Sequence, residues 1–266
     1  MINIGQYIEM AINWLTEHFA SFFDALSMGI GGFIDGFQHV LFGIPFYITI
    51  AVLAALAWFK SGKGTALFTL LGLLLIYGMG FWEETMQTLA LVLSSTCLAL
   101  LLGVPLGIWT ANSDRCNKIM RPILDFMQTM PAFVYLIPAV LFFGLGTVPG
   151  AFATIIFAMP PVVRLTGLGI RQVPKNVVEA SRSFGATPWQ LPTILTGINQ
   201  TIMMSLSMVV IAAMISAGGL GEIVLKGITQ MKIGLGFEGG IAVVILAIVL
   251  DRITQGMADN RKNKKK

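Results

Sequence analysis

Side chains that could do chemistry are few in this sequence, and their spacing argues against catalysis. His18 and His39 stand in the N-terminal region without partners at metal-ligand spacing. Cys97 lies in an apolar run and Cys116 in a basic loop. They form no CxxC pair and no His/Cys cluster, so neither a zinc site nor a disulfide framework is supported. Gly62-Lys63-Gly64-Thr65 matches part of a phosphate-binding loop, yet Ala57 stands where the first glycine belongs. The H-E-x-x-H and G-x-S-x-G patterns do not occur. No pair of carboxylates falls inside an apolar run, and Asp125 is the nearest candidate for an ion relay. What remains is hydrogen-bonding chemistry. Asn199, Gln200, Thr201, Ser205 and Ser207 lie among methionines in one apolar run, where they could line a polar path or join helices. Gly218, Gly219 and Gly221 could shape an external gate, or a plain turn.

The other polar feature is the stretch from Arg171 to Gln190. Pro174 suits a first helical position, where its missing N–H costs nothing. Val177, Val178, Ser181 and Phe184 alternate with Lys175, Glu179 and Arg182 at helical intervals. Gly185 can take positive φ and end the helix, and Thr187-Pro188 reads as an N-cap followed by a first-turn proline. The pattern predicts a short amphipathic helix, a bend and a second helix start. It could be a plain connector on a membrane surface, or a handle presented to the water phase.

The elements that must carry these groups are membrane helices. The 266 residues are 56% hydrophobic and 11% charged, against about 25% charged for a soluble domain. Seven apolar segments fall at 41–59, 65–82, 87–110, 122–145, 148–165, 192–217 and 239–251. About 20 helical residues cross a ~30 Å hydrocarbon core, and backbone in lipid must bond internally, so helices are expected. Lys60 and Lys63, then Arg115, Lys118 and Arg121, then Arg164, Arg171, Lys175 and Arg182, and finally the tail Arg261–Lys266 alternate onto one side. That side should be the cytoplasm, which places the N-terminus outside and the C-terminus inside. Residues 4–26 carry an apolar stripe with Glu9, Asn13, Glu17 and Asp24 off it, as in an interfacial helix, and Gly29, Gly31 and Gly32 are expected to break it. The basic tail reads as a topology signal rather than a nucleic-acid arm. Gly103-x-x-x-Gly107 with Pro105 allows a close helix approach and a kink.

Glu179-Ala180-Ser181-x-x-x-Gly185 resembles the E-A-A-x-x-x-G signature of permease subunits of binding-protein-dependent ABC importers. Four further stretches are similar to the glycine betaine/proline betaine branch: Leu93-Ser-Ser-Thr-Cys-Leu-Ala-Leu-Leu-Leu-Gly-Val-Pro-Leu-Gly107, Gln128-Thr-Met-Pro-Ala-Phe-Val-Tyr-Leu-Ile-Pro138, Met159-Pro-Pro-Val-Val-Arg-Leu-Thr166 and Gly218-Gly-Leu-Gly221. The resemblance covers residues 82–255. It implies an all-α polytopic fold of about seven transmembrane helices around a five-helix type I permease core. Its parts would be an interfacial helix over 1–38, two accessory helices over 39–82, the core over 83–256 with a coupling loop at 171–191, and a basic tail over 257–266.

The same resemblance implies the working assembly. Two copies of the permease would pair in the bacterial plasma (inner) membrane with two ATPase subunits and an extracytoplasmic substrate-binding protein. The chain itself would carry no cofactor and hydrolyse nothing; ATP and Mg²⁺ belong to the ATPase. Glu179 would pair with a basic ATPase residue, Val178 or Phe184 would fill an apolar pocket, and Gly185 would permit the bend. The selective aromatic cage for a quaternary cation would belong to the binding protein, and Asn199, Gln200, Thr201 and Ser205 would line the path. One departure stands out. After Gln190 the chain enters Leu191-Pro192-Thr193-Ile194 at once, about ten residues sooner than the family does, leaving scarcely one helical turn for a second coupling helix. Against the family reading stand a self-contained channel or secondary carrier, which would transport alone, and a purely structural membrane subunit, which needs neither the coupling motif nor a polar sixth segment.

Overall fold

The computed structural model describes residues 4–172 and 192–259, and every regular element among them is helical. Helix α1 (Ile4–His18) and helix α2 (Ala20–Gly43) meet at Phe19. The sequence places the break at Gly29, Gly31 and Gly32; instead α2 runs straight through them. A helical glycine costs about 1 kcal/mol relative to alanine, and the packing of buried Ile30 and Ile34 against Leu91, Ala151, Ala212 and Ala217 offsets it. Gly31 also lets α2 approach Val148, which an added Cβ would meet at 3.4 Å.

Helices α3 (Phe46–Ser61) and α4 (Lys63–Gly78) form a hairpin closed at Gly62, whose φ of +98° suits glycine. The chain turns by 102° between α2 and α3, at Pro45. The hairpin packs through Leu73 and Ile76 onto the final helix α11 (Ile233–Asp259), and an added Cβ at Gly72 would lie 2.6 Å from Ile245.

Three long elements form the centre: α5 (Trp82–Asn112), α8 (Thr147–Arg171) and α9 (Pro192–Ala212), the last continued by a 3₁₀ turn over Ala213–Ile215. The GxxxG expectation holds. An added Cβ on Gly103 would touch Val162 at 3.0 Å, and one on Gly107 would sit 2.6 Å from Thr166 Cβ and 2.9 Å from the Val163 carbonyl. Pro105, Pro160 and Pro161 stand inside continuous helices; Pro160 and Pro161 are buried against neighbouring helices, whereas Pro105 is exposed.

The apolar segment 122–145 is not one straight helix. It divides into α6 (Asp114–Thr129), a 3₁₀ turn (Ala132–Tyr135) and α7 (Leu136–Phe143), bent by 108°. Met130 is extended, with φ −67° and ψ 135°, as the residue before a proline must tend to be. The Tyr135 hydroxyl donates to the Met127 carbonyl across the corner. Helix α10 (Leu220–Thr229) precedes α11. Four of the described helical stretches (α5, α8, residues 196–215 and 233–257) are long and apolar enough to cross a bilayer. The number rises to six if each bent pair is one span, and α4 is a further apolar helix of 16 residues.

One end of this bundle gathers the basic residues. Arg171 binds the end of α5, Ser61 Oγ donates to the Arg252 carbonyl, and Gly256 lies against the Lys60 backbone. At the opposite end the start of α5 meets the glycine turn before α10, and the Gly146 N–H donates to the Ile215 carbonyl at 2.8 Å.

Candidate functional site

The motif residues Val178, Glu179, Ala180, Ser181, Phe184 and Gly185 lie outside the described residues. Their flanks are described, and both are fastened. On the near side, Arg171 closes α8. One of its guanidinium nitrogens donates to Asp114 Oδ1 and another to the Thr110 carbonyl, both at 2.7 Å. The end of α8 is thereby tied to the α5–α6 junction. On the far side, α9 presses Gly197 against Leu165 of α8. Asn199 donates to Asp251 Oδ1 at 3.2 Å and accepts from the Thr254 hydroxyl, while the Gln255 amide donates to both Asp251 oxygens. The described ends of α8 and α9 that flank residues 173–191 are thus tied to α5, α6 and α11.

The polar residues of α9 divide between two faces. Asn199 sits between α9 and α11 in the cluster just described. Thr201 is fully buried, its hydroxyl donating to the Gly197 carbonyl at 2.8 Å. Ser205 is fully buried and accepts from the Thr96 hydroxyl of α5 at 3.1 Å. All three are hydrogen-bonded within the chain. Gln200 instead faces outward, and so do Ser207 and Met214, at intervals of seven residues that return to one side of a helix. The outer stripe thus carries the Gln200 amide, where lipid is a poor partner for it, and a hydroxyl, Ser207, that donates to the Met203 carbonyl of its own helix at 2.9 Å.

The glycine run is a locked turn. Gly218 and Gly219 have φ of +78° and +75°. The Gly219 N–H donates to Gln87 Oε1 at 3.0 Å and the Leu220 N–H to Thr88 Oγ1 at 2.8 Å, so α5 supplies the cap of α10. Gly221 lies under α9; a Cβ there would sit 2.5 Å from the Val209 carbonyl oxygen. Sequence spacing could not reveal Gln87 and Thr88 as this cap, since they lie far upstream of it. Within α10, Lys226 and Glu222 pair at 2.8 Å, and the hydrogen bond to Glu222 holds the ammonium above its ordinary range.

Asp125 pairs with Arg164, both half-exposed, and so serves an ion pair at a helix edge. Among the described residues no three His, Cys, Asp or Glu side chains gather as metal ligands.

The chain belongs to the family of binding-protein-dependent transport system inner membrane components, whose profile matches residues 103–261. It is 49% identical to the glycine betaine transport system permease protein OpuAB of Bacillus subtilis (strain 168), over 99% of this chain and 97% of that one. It is 47% identical to the glycine betaine/proline betaine permease ProW of Escherichia coli (strain K12), over 99% of this chain and 77% of ProW. It is 50% identical to the glycine betaine/carnitine permease GbuB of Listeria monocytogenes (serotype 1/2a, strain 10403S), over 99% and 97%. These alignments extend over 273, 274 and 277 residues, more than the 266 of this chain, so each relative holds positions without a counterpart here. Among solved structures, an inward-facing MetNI methionine ABC transporter shares the fold, with a TM-score of 0.54 and 20% identity over 68% of this chain and 93% of that one. The chain is thus an ABC-importer permease with membrane-spanning helices.

Proposed function

We propose that this permease imports glycine betaine or a related quaternary ammonium osmoprotectant, as two copies facing each other with an ATPase under each. The observation that carries the substrate is the 47–50% identity, over nearly the whole chain, to three permeases named for glycine betaine. The basic end of the bundle is the cytoplasmic one on the positive-inside rule. There residues 171–191 meet the ATPase, with Glu179 offering charge, Val178 and Phe184 apolar contact, Ala180 and Ser181 a close-packed face, and Gly185 the bend. ATP and Mg²⁺ stay in the partner.

Coupling requires a link with two states that both sites bias. The anchored flanks support one: ATPase closure would move the loop, and the ties of Arg171 and Asn199 would carry that motion into the spans. The path itself would run along the outward stripe of α9, with Gln200 as its polar group near the cytoplasmic end. Ser207 and the soft thioether of Met214 continue it, a weakly polar surface suited to a cation that is bulky and poorly hydrated. The glycine turn at Gly218, Gly219 and Gly221 would hold the external mouth.

The test is uptake in a strain stripped of betaine transporters. Expression of the chain with its ATPase and binding protein should give ATP-dependent accumulation of labelled glycine betaine, and the chain without the ATPase should give none. Uptake by the chain alone in liposomes would mean an independent carrier and end this reading.

A further inference from the structure

At the basic end, α6 and α8 enclose a cavity of about 280 Å³. Its lining is Asn117, Arg121, Leu124, Arg164, Gly167, Leu168 and Arg171, which brings together three guanidiniums and no carboxylate. The two nearby acids are engaged on the flanks, Asp125 with Arg164 and Asp114 with Arg171. Those pairs hold two of the arginines in place without filling the space between them. Arg121 has no ion-pair or hydrogen-bond partner among the described residues, and Lys118 adds charge on the same helix. Arg164 Nε is shielded from water and makes no hydrogen bond. Arg121 is exposed and open to an incoming anion, and the buried Arg164 donor beside it is costly to leave unpaired unless an acceptor shares the site.

The depth of the cavity indicates where that anion comes from. Arg171 ends α8 and Arg164 lies about two turns further in, about 10 Å along the axis. Since α8 has 25 residues and α5 has 31, both exceed the ~30 Å core, and their ends reach the headgroup layer. Leu168 lines the same cavity with nearly half of its surface exposed, and α6 shows Ile119, Ile123 and Phe126 on its other side. A free phosphate would need no apolar wall at this level.

We propose that this cavity binds the phosphate of an anionic phospholipid headgroup, with Arg121 and Asn117 as its outer donors and Arg164 and Arg171 behind them. Basic pockets between membrane helices are suited to such headgroups. The lipid would sit against the helix that leads into residues 173–191, so occupancy would steady the near flank of that segment. This site stands whether or not the transported solute is a betaine.

The experiment uses the assembled importer in nanodiscs of phosphatidylcholine with phosphatidylglycerol, followed by native mass spectrometry of retained lipid. Arg121→Gln should lower retained phosphatidylglycerol about fivefold, the loss of one basic contact near an anionic headgroup. Arg121→Lys should keep most of it, and phosphatidylcholine retention should not change. Thermal midpoints equal to wild type would show that the fold is intact. Retention unchanged in Arg121→Gln overturns the proposal. So does displacement of the lipid by inorganic phosphate alone, which would mark a free-anion site. Intact lipid retention with loss of the co-purifying ATPase would overturn it in favour of a protein-docking surface.

Discussion

Gln200 and Thr201 are neighbours in sequence, and one peptide step of about 100° around the helix sends them to opposite environments. Thr201 closes a hydrogen bond to its own helix in the core, whereas Gln200 is exposed. The residue types alone made both candidates for the path, together with Asn199 and Ser205, because period and polarity do not reveal which face a neighbouring helix covers. The outward stripe yields a direct test on a background lacking Cys97 and Cys116. Gln200→Cys and Ser207→Cys should react with a membrane-impermeant thiol reagent added from the side that the path opens to. Thr201→Cys and Ser205→Cys should stay protected; equal labelling of all four would abolish the distinction. Gly185 supports a second prediction at this scale. A β-branched side chain there resists positive φ, so Gly185→Val should cut uptake about tenfold or more, in line with coupling energies of 1–3 kcal/mol. Ligand capture by the binding protein should be untouched, and wild-type uptake and ATPase stimulation would remove Gly185 from the coupling role.

Elements were legible where the pattern was long and local, and less so where a contact decided them. The spans over Trp82–Asn112 and Thr147–Arg171 follow from apolar length, and the Gly103–Gly107 spacing correctly pointed to a close crossing. The glycines of α2 misled because a helix tolerates them when a neighbour packs at that point, as Val148 does at Gly31. The bend between α6 and α7 hid inside one apolar run; Pro131 marked it, but only the extended Met130 and the Tyr135–Met127 bond make it a corner. The crossing at Gly107 is the element to test. With Thr166 and the Val163 carbonyl under 3 Å from any added Cβ, Gly107→Val overpacks the α5–α8 contact and should cost about 1–3 kcal/mol. A lower thermal midpoint of the detergent-purified protein reads it. Gly36→Ala, inside α2 at a position with no heavy atom within 4 Å, is the control and should raise the midpoint slightly, since alanine is the better helix former; a lowered midpoint in both would deny the close crossing.

For the whole molecule, the composition already required a lipid solvent, since 11% charged residues cannot cover a soluble surface. The alternation of basic stretches already assigned them to one side, and the contacts of Arg171, Ser61 and Gly256 bring the described stretches around Lys60, Arg115 and Arg171 to one end of the bundle. The short motif around Glu179 pointed to an importer subunit because it is a local, contiguous signal. These properties are written in sums and short spacings, which a sequence contains in full. Tertiary structure alone decided the rest. It chose which of five polar residues on α9 turn outward and capped α10 with Gln87 and Thr88 from a helix 132 residues away. It also tied Asn199 to Asp251 and set Arg121, Arg164 and Arg171 around one cavity. Each of these is a meeting between residues distant in the chain, and the packing of whole helices, not their local pattern, brings such residues together.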